Sequence, residues 1–423
     1  MRLHNKCTIP TIALALSLMG GAVGDAQSQP PVAAPILPAP AGLPWVAASL
    51  QEPARFLSIT SWDRGFAAIG RRLSTAGEPT GRPTVWLSTD GGTWSRSPGD
   101  LPGSSAAGEG LLIIDQPDGL LVAGVVDRDT VAVWRSRDGT TWRRVRDRRA
   151  FAPAGIPSDY YLHLDGIAHH GRHVLVTGRY DRLGDSESYP RVWISNGSAS
   201  WSQREATRAG RLGVEQPVSR PDGYAALTRA VPGEAAGCES PWVVVVSADG
   251  VRWDRSGGPF CLQPHGLAWS GSQAAQYVLG DDGFGGPFQI LRSRGSETWR
   301  VAVEEPTIGA PGEALPGSWT EWQATGLLAV GDRVVAVGSV ELYAADGSGV
   351  SSMWSATSTD GVSWGQSLAW PAMVGARPAD YPTPVMAIQE GVVVVGLSRG
   401  GAVTAIVPAV TPIPAAPRQS NAP

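Results

Sequence analysis

Apolar residues in this chain gather in short β-type runs that end on glycine, and the runs recur. GFAAIG closes at Gly70, GLLVAG at Gly124, HVLVTG at Gly178, AQYVLG at Gly280, RVVAVG at Gly338 and GVVVVG at Gly396. YAALT ends on Thr228, where the glycine is lost. Successive intervals are 54, 54, 50, 52, 58 and 58 residues. Self-similarity at such a period marks a repeat architecture. Each unit also has an apolar run just ahead of the glycine run, as at Phe56–Ser61, Gly110–Ile114, Gly326–Val330 and Pro384–Ile388.

A second pattern keeps the same period, with a serine six residues before a tryptophan. It reads Ser88-Thr-Asp90-Gly-Gly-Thr-Trp94, Ser136-Arg-Asp138-Gly-Thr-Thr-Trp142, Ser247-Ala-Asp249-Gly-Val-Arg-Trp253 and Ser358-Thr-Asp360-Gly-Val-Ser-Trp364. Degenerate copies run from Ser195 to Trp201 and from Ser293 to Trp299. Asp-Gly between two β-runs signals a hairpin. Each unit is therefore strand a, a short turn, strand b ending in glycine, a variable loop, strand c ending in serine, an Asp-Gly turn, and strand d opening with tryptophan. Four antiparallel strands in a repeat of this size make one blade of a β-propeller. The aspartate suits the turn, where its carboxylate accepts backbone N–H groups, and the tryptophan is expected to pack between blades. A turn motif repeated from blade to blade is structural and not one active site.

These motifs resemble the Asp-box (BNR-repeat) propellers of the sialidase-like superfamily, whose box runs Ser-x-Asp-x-Gly-x-Thr-Trp; the version here is one residue shorter. The resemblance extends from about Trp45 to Pro408. It implies a propeller fold, on which sialidases, other glycosidases, assembly factors and sorting receptors are all built.

Seven b-strands stand against six complete Ser…Trp hairpins. The last unit ends in GAVTAIVPA, a c-strand with no d-strand after it, while Leu43–Leu50 precedes the first a-strand without a partner. Residues 44–50 are expected to supply the missing outer strand. The fold expected is all-β: a seven-bladed propeller over residues 44–410, four antiparallel strands per blade, closed by an N-terminal velcro strand that avoids an open sheet edge.

Both ends differ in character. Arg2 and Lys6 precede an apolar run from Ile12 to about Ala22 and then small residues, the order of a secretory signal peptide; the run is shorter than a spanning helix needs. Residues 1–26 are read as a signal cleaved near 24–26, 27–43 as a Pro/Ala-rich linker and 411–423 as a Pro-rich tail. An exported protein, periplasmic or extracellular and without a transmembrane span, is the expectation. After cleavage two cysteines remain, Cys238 and Cys261, and export favours joining them. Hairpin arithmetic about Asp249-Gly250 places them nearly opposite, so a disulfide is expected.

Composition narrows the partners. Net charge is −4 and Lys6 is the single lysine, which is not the footprint of a nucleic-acid binder. The 17 tryptophans belong largely to the repeat. Strand order places the a–b and c–d turns on one face and the long b–c and d–a loops on the other, where ligands are expected. Candidates on that loop face are Asp159, Tyr160, Tyr161, Tyr189, Trp319, Glu321, Trp322, Asp380 and Tyr381, with His265 nearby; aromatics with carboxylates suit sugar rings. The family's sialidases use an arginine triad, a Tyr/Glu nucleophile pair and an Asp acid/base. Arg55 stands at the place of the first arginine with different neighbours, and no residue is assignable to the pair. His163, His169, His170 and His173 are spread along one hairpin, so neither a metal nor a cofactor is expected. The reading is a monomeric recognition module for a glycan or an envelope protein. The alternatives are an exo-sialidase-type hydrolase and an assembly factor.

Overall fold

Alternation of buried and half-buried positions along short strands builds the molecule from sheets. The computed structural model describes residues 45–104, 109–153, 155–182, 188–197, 200–206, 213–231, 234, 238, 240–281, 288–295, 297–304, 319–343, 349–369, 382–389, 392–397 and 402–406. Among these, the strands assemble into seven sheets, six of four strands and one of five. The innermost strands are Ala54–Trp62, Glu109–Gln116, Tyr161–His170, Glu215–Arg220, Gln263–Ser270, Trp319–Val330 and Pro382–Gln389. Each touches the next, and the seventh touches the first. This is an all-β propeller with four-stranded blades. Its one helix among the described residues is a single turn, Arg148–Phe151.

The glycine column has a steric cause. In four innermost strands the register slips by one residue near the start: between Phe56 and Ser58, Leu164 and Gly166, Pro264 and Gly266, and Ala324 and Gly326. Each slip is a β-bulge, which bends the strand and re-aims the extra residue. The bulged backbone closes onto the neighbouring strand. A Cβ on Gly178 would meet the His163 carbonyl oxygen at 2.4 Å, and one on Gly70 would meet that of Arg55 at 2.1 Å. The fourth sheet, which has Thr228, skips two residues between Glu215 and Val218, and the Thr228 hydroxyl donates to the Gly213 carbonyl.

The Asp-Gly turns form as the pattern requires. Asp138 Oδ1 accepts from the backbone N–H of Thr140 and Thr141 at 2.8 and 2.7 Å and from the Ser136 hydroxyl at 2.9 Å. Asp90, Asp249 and Asp360 do the same. Those hydrogen bonds hold the carboxyls below the usual carboxylate range, Asp360 at about 2. Trp94, Trp142 and Trp253 are buried and donate from Nε1 to the glycine carbonyl three residues back. Each packs against the preceding sheet: Trp94 on Val394, and Trp253 beside Leu175 and Ile194. Trp364 departs from this. It is half-buried, edge-on to Tyr277, and its Nε1 has no acceptor among the described residues.

The first described residues straddle two sheets. Val46 and Ala47 pair antiparallel with Thr404 and Val403 of the seventh sheet, while Ser49 and Leu50 run parallel to Thr93 and Trp94 of the first. Trp45 is buried among Met353, Met386 and Val395.

Two expectations need correction. Cys238 and Cys261 are free thiols. Val245 faces Arg255, but Trp242 faces Phe260, a slip of two residues that takes Cys261 out of direct register with Cys238. Their side chains still touch; burial first, then the hydrogen bond to Cys238 and its charge, push the Cys261 thiol up to about 11. Trp319, Glu321 and Trp322 lie on a strand, paired with Tyr343, Glu341 and Val340, and not in a loop. The sixth hairpin runs on because its partner, Arg333–Tyr343, keeps pairing past Gly338. Among the described residues no helix is long and apolar enough to cross a membrane.

Candidate functional site

The innermost strands surround a cavity of about 450 Å³ on the ring axis, lined by all seven sheets, with Ser58, Thr60, Asp165, Gln216, His265 and Met386 among its walls. Every innermost strand enters from a d–a connection, so residues near its start stand at the mouth on the loop face. The bulges sit there and turn Asp165 and His265 toward the axis.

A charged cluster occupies the mouth between the third and fourth sheets. Arg179 and Asp181 are two apart on one strand and share a face, and Arg179 Nε donates to Asp181 Oδ2 at 2.9 Å. Arg179 Nη1 donates to Asp165 Oδ1 at 2.5 Å and to Glu215 Oε1 at 3.2 Å. One guanidinium thus serves three carboxylates. Asp165 is the most enclosed, at 10% side-chain exposure, against 31% for Asp181 and 26% for Glu215. Burial pushes the Asp165 carboxyl up to about 7 against the pull of Arg179, with repulsion from Glu215 and Asp181 adding to the rise. Burial raises Glu215 as well, opposed by Arg179 and Arg229.

The polar strip continues into the fifth sheet. Arg229 lies over the Trp242 ring at 4.1 Å and donates to Gln263 Oε1 at 3.4 Å, and His265 Nε2 stands 2.7 Å from Asp281 Oδ2. Asp165, Asp181, Glu215 and Asp281 thus stand at the mouth with Arg179 and Arg229, and Asp165 holds its proton toward neutral pH. Hydroxyl donors meet carboxylate oxygens, each with lone pairs to spare.

The sequence candidates separate on this geometry. His265 belongs to the mouth. Asp159 pairs with Arg182 at 2.8 Å, and Tyr161 lies under the Arg128 guanidinium at 4.2 Å, both on the loop face. Tyr160 is 4% exposed and edge-on to Tyr189 at 5.1 Å; it is core between the second and third sheets and offers no platform. The side chains of Trp319, Glu321 and Trp322, and all of Asp380 and Tyr381, lie outside the described residues. The four histidines do not converge. His169 Nε2 lies 3.6 Å from Asp115, His170 packs on Tyr224, and His163 and His173 are exposed. Among the described residues no group of three ligands is arranged for a metal.

Asp165, Arg179, Asp181, Glu215 and Arg229 were not candidates from sequence. A signal existed: the residue following each position of the glycine column is Arg71, Val125, Arg179, Arg229, Asp281, Ser339 and Leu397. Charge at that position in consecutive units points to the mouth.

No protein-family model and no curated protein sequence matches the chain. Solved structures resemble it in architecture. The Hadza microbial sialidase Hz136 is 14% identical with a TM-score of 0.45; the match covers 72% of this chain and 66% of that one, just under two thirds of its length. The β-propeller domain of the Trilobed protease from Pyrococcus furiosus is 10% identical with a TM-score of 0.47, covering 84% and 93%. Polysaccharide lyase Uly1 is 9% identical with a TM-score of 0.48, covering 84% and 90%.

Proposed function

We propose that the protein is an exported, non-catalytic recognition module that binds a hydroxyl-rich carbohydrate at the mouth of the axial cavity. The observation carrying this is the Arg179 cluster. A sialidase presents several arginines to a substrate carboxylate, whereas here Arg179 is already engaged by Asp165, Asp181 and Glu215, and Arg229 lies over the Trp242 ring. Asp181 and Glu215 remain partly exposed and accept hydrogen bonds, and Tyr161 gives a ring beside them on the same face. In this reading the seven sheets are seven blades closed by Val46–Ala47, and the Ser-x-Asp-Gly turns are Asp-boxes of the sialidase-like superfamily. The cyclic contact of the innermost strands and the pairing of Val46 with Thr404 support the count and the closure.

One observation favours a second reading, a glycoside hydrolase. Burial pushes the Asp165 carboxyl up to about 7 inside a cluster of carboxylates at the mouth, and a carboxyl raised toward neutral pH is what a glycosidase acid needs. An array of neutral and acidic glycans, probed with wild type and Glu215→Gln, tests the first reading: neutral glycans bind, and the variant loses them. Turnover of aryl glycosides that disappears in Asp165→Asn favours the second.

A further inference from the structure

Arg143, Arg144, Arg146, Arg148 and Arg149 put five guanidinium groups within seven residues of a chain whose net charge is −4. All five are exposed. Asp147, the one acid among them, does not neutralise them. Its Oδ1 accepts from the Ala150 N–H and its Oδ2 from the Trp201 N–H, each at 3.1 Å, so the carboxylate is turned to backbone donors of the short helix and of the third sheet. Among the described residues none of the five arginines has an ion pair or side-chain hydrogen bond. Clustered like charges raise the local positive potential, and an anion relieves their repulsion.

The cluster also has a shape. Arg144, Arg146 and Arg148 line a concavity of about 810 Å³ whose opposite walls are Gly103 and Thr130. Gly103 leaves room for the Arg144 guanidinium, since a Cβ there would stand 3.0 Å from Nη1. Gly103 lies on the connection leaving the first sheet and Thr130 opens the third strand of the second. Both are on the loop face, at the rim and away from the axis.

The geometry points to a second binding site in this concavity, for an acidic polysaccharide whose sulfate or carboxylate groups pair with Arg144, Arg146 and Arg148. Guanidinium forks match such oxyanions two bonds at a time. A nucleic acid fits less well, because the one aromatic side chain lining the concavity, Phe151, is buried and gives no face on which a base could stack. A membrane also fits less well. Basic residues at a bilayer work with apolar anchors, and the exposed large apolar side chains among the described residues, such as Val231, Val301 and Val362, belong to other sheets. The inference does not depend on the reading of the axial mouth.

The test is binding of the full chain to immobilised dextran sulfate and to polygalacturonate, with neutral dextran as control. The variants are Arg144→Gln/Arg146→Gln/Arg148→Gln and a charge-matched triple at Arg204, Arg294 and Arg300, which are exposed on other sheets. Expected are retention on at least one acidic polymer that weakens as salt is raised, a loss of roughly tenfold or more in the first variant, and little change in the second. Unchanged melting of both variants shows that the fold is kept. Dextran sulfate against polygalacturonate tells sulfate from carboxylate. Absence of retention at low salt, or equal loss in the two variants, overturns the site. Tighter binding to a single-stranded oligonucleotide or to phosphatidylserine vesicles, through the same arginines, overturns its assignment to a polysaccharide.

Discussion

Arg179 Nη1 donates to Glu215 Oε1 across 3.2 Å, joining the second strand of the third sheet to the innermost strand of the fourth. The same nitrogen holds Asp165, so removing the guanidinium strands partly buried carboxylates on both sheets. Arg179→Met is expected to cost about 2–4 kcal/mol, below the range for a fully buried pair because Glu215 and Asp181 keep some solvent. Urea unfolding measures it.

Asp165 gives the cluster a pH signature. Its folded pKa, about 7, lies above the ordinary value of 3.8. Between those values the native state holds a proton that the unfolded chain has released. Its contribution is therefore full below about pH 4 and is lost as pH rises through about 7. Wild type is expected to lose stability relative to Asp165→Asn over that window, by roughly 2–4 kcal/mol. Parallel melting curves of the two from pH 4 to 8 would contradict the assignment.

The bulge account of the glycine column is tested by one methyl group. Gly178→Ala puts a Cβ 2.4 Å from the His163 carbonyl oxygen, while Gly258→Ala meets nothing within 4 Å. The first is expected to destabilise by about 2 kcal/mol or more and the second by about 0.5 or less. Equal effects would mean that the bulge does not set the column.

Trp253 and Trp364 are one motif position in two environments. Trp253 is fully buried and bonded to the Gly250 carbonyl, whereas Trp364 is half-buried without that bond. Trp253→Ala is expected to cost about 3–5 kcal/mol, and Trp364→Ala clearly less. Chemical denaturation of the two variants ranks them.

The contact between Cys238 and Cys261 sets a redox expectation. Glutathione disulfide should convert the thiol pair to an intramolecular disulfide, releasing two glutathiones through a mixed disulfide. Intact mass then shows a loss of two hydrogens, and neither Cys238 nor Cys261 remains alkylatable. Two thiols surviving the oxidant would leave the pair structural and reduced.

The propeller was legible because its determinants are local and repeated. The glycine column, the Asp-Gly turns and the tryptophans each report a steric or hydrogen-bond requirement met within a few residues. The mouth was less legible because its parts come from separate units. Asp165 reaches the axis through a bulge, a shift of register that no run of residue types announces, and Glu215 meets Arg179 only once two sheets are side by side. Tyr160 shows the converse: its place on a loop is plain from the sequence, but whether its ring faces solvent or core depends on Tyr189 and Phe151 in the packing between sheets.

The most direct measurement is a crystal structure of the protein with a neutral oligosaccharide chosen from the glycan array. The account predicts a sugar ring at the loop-face mouth, its hydroxyls within hydrogen-bond distance of Asp181 and Glu215, with Arg179 still held by its three carboxylates. A sugar bound elsewhere, or an array on which only sialylated glycans bind, would contradict it.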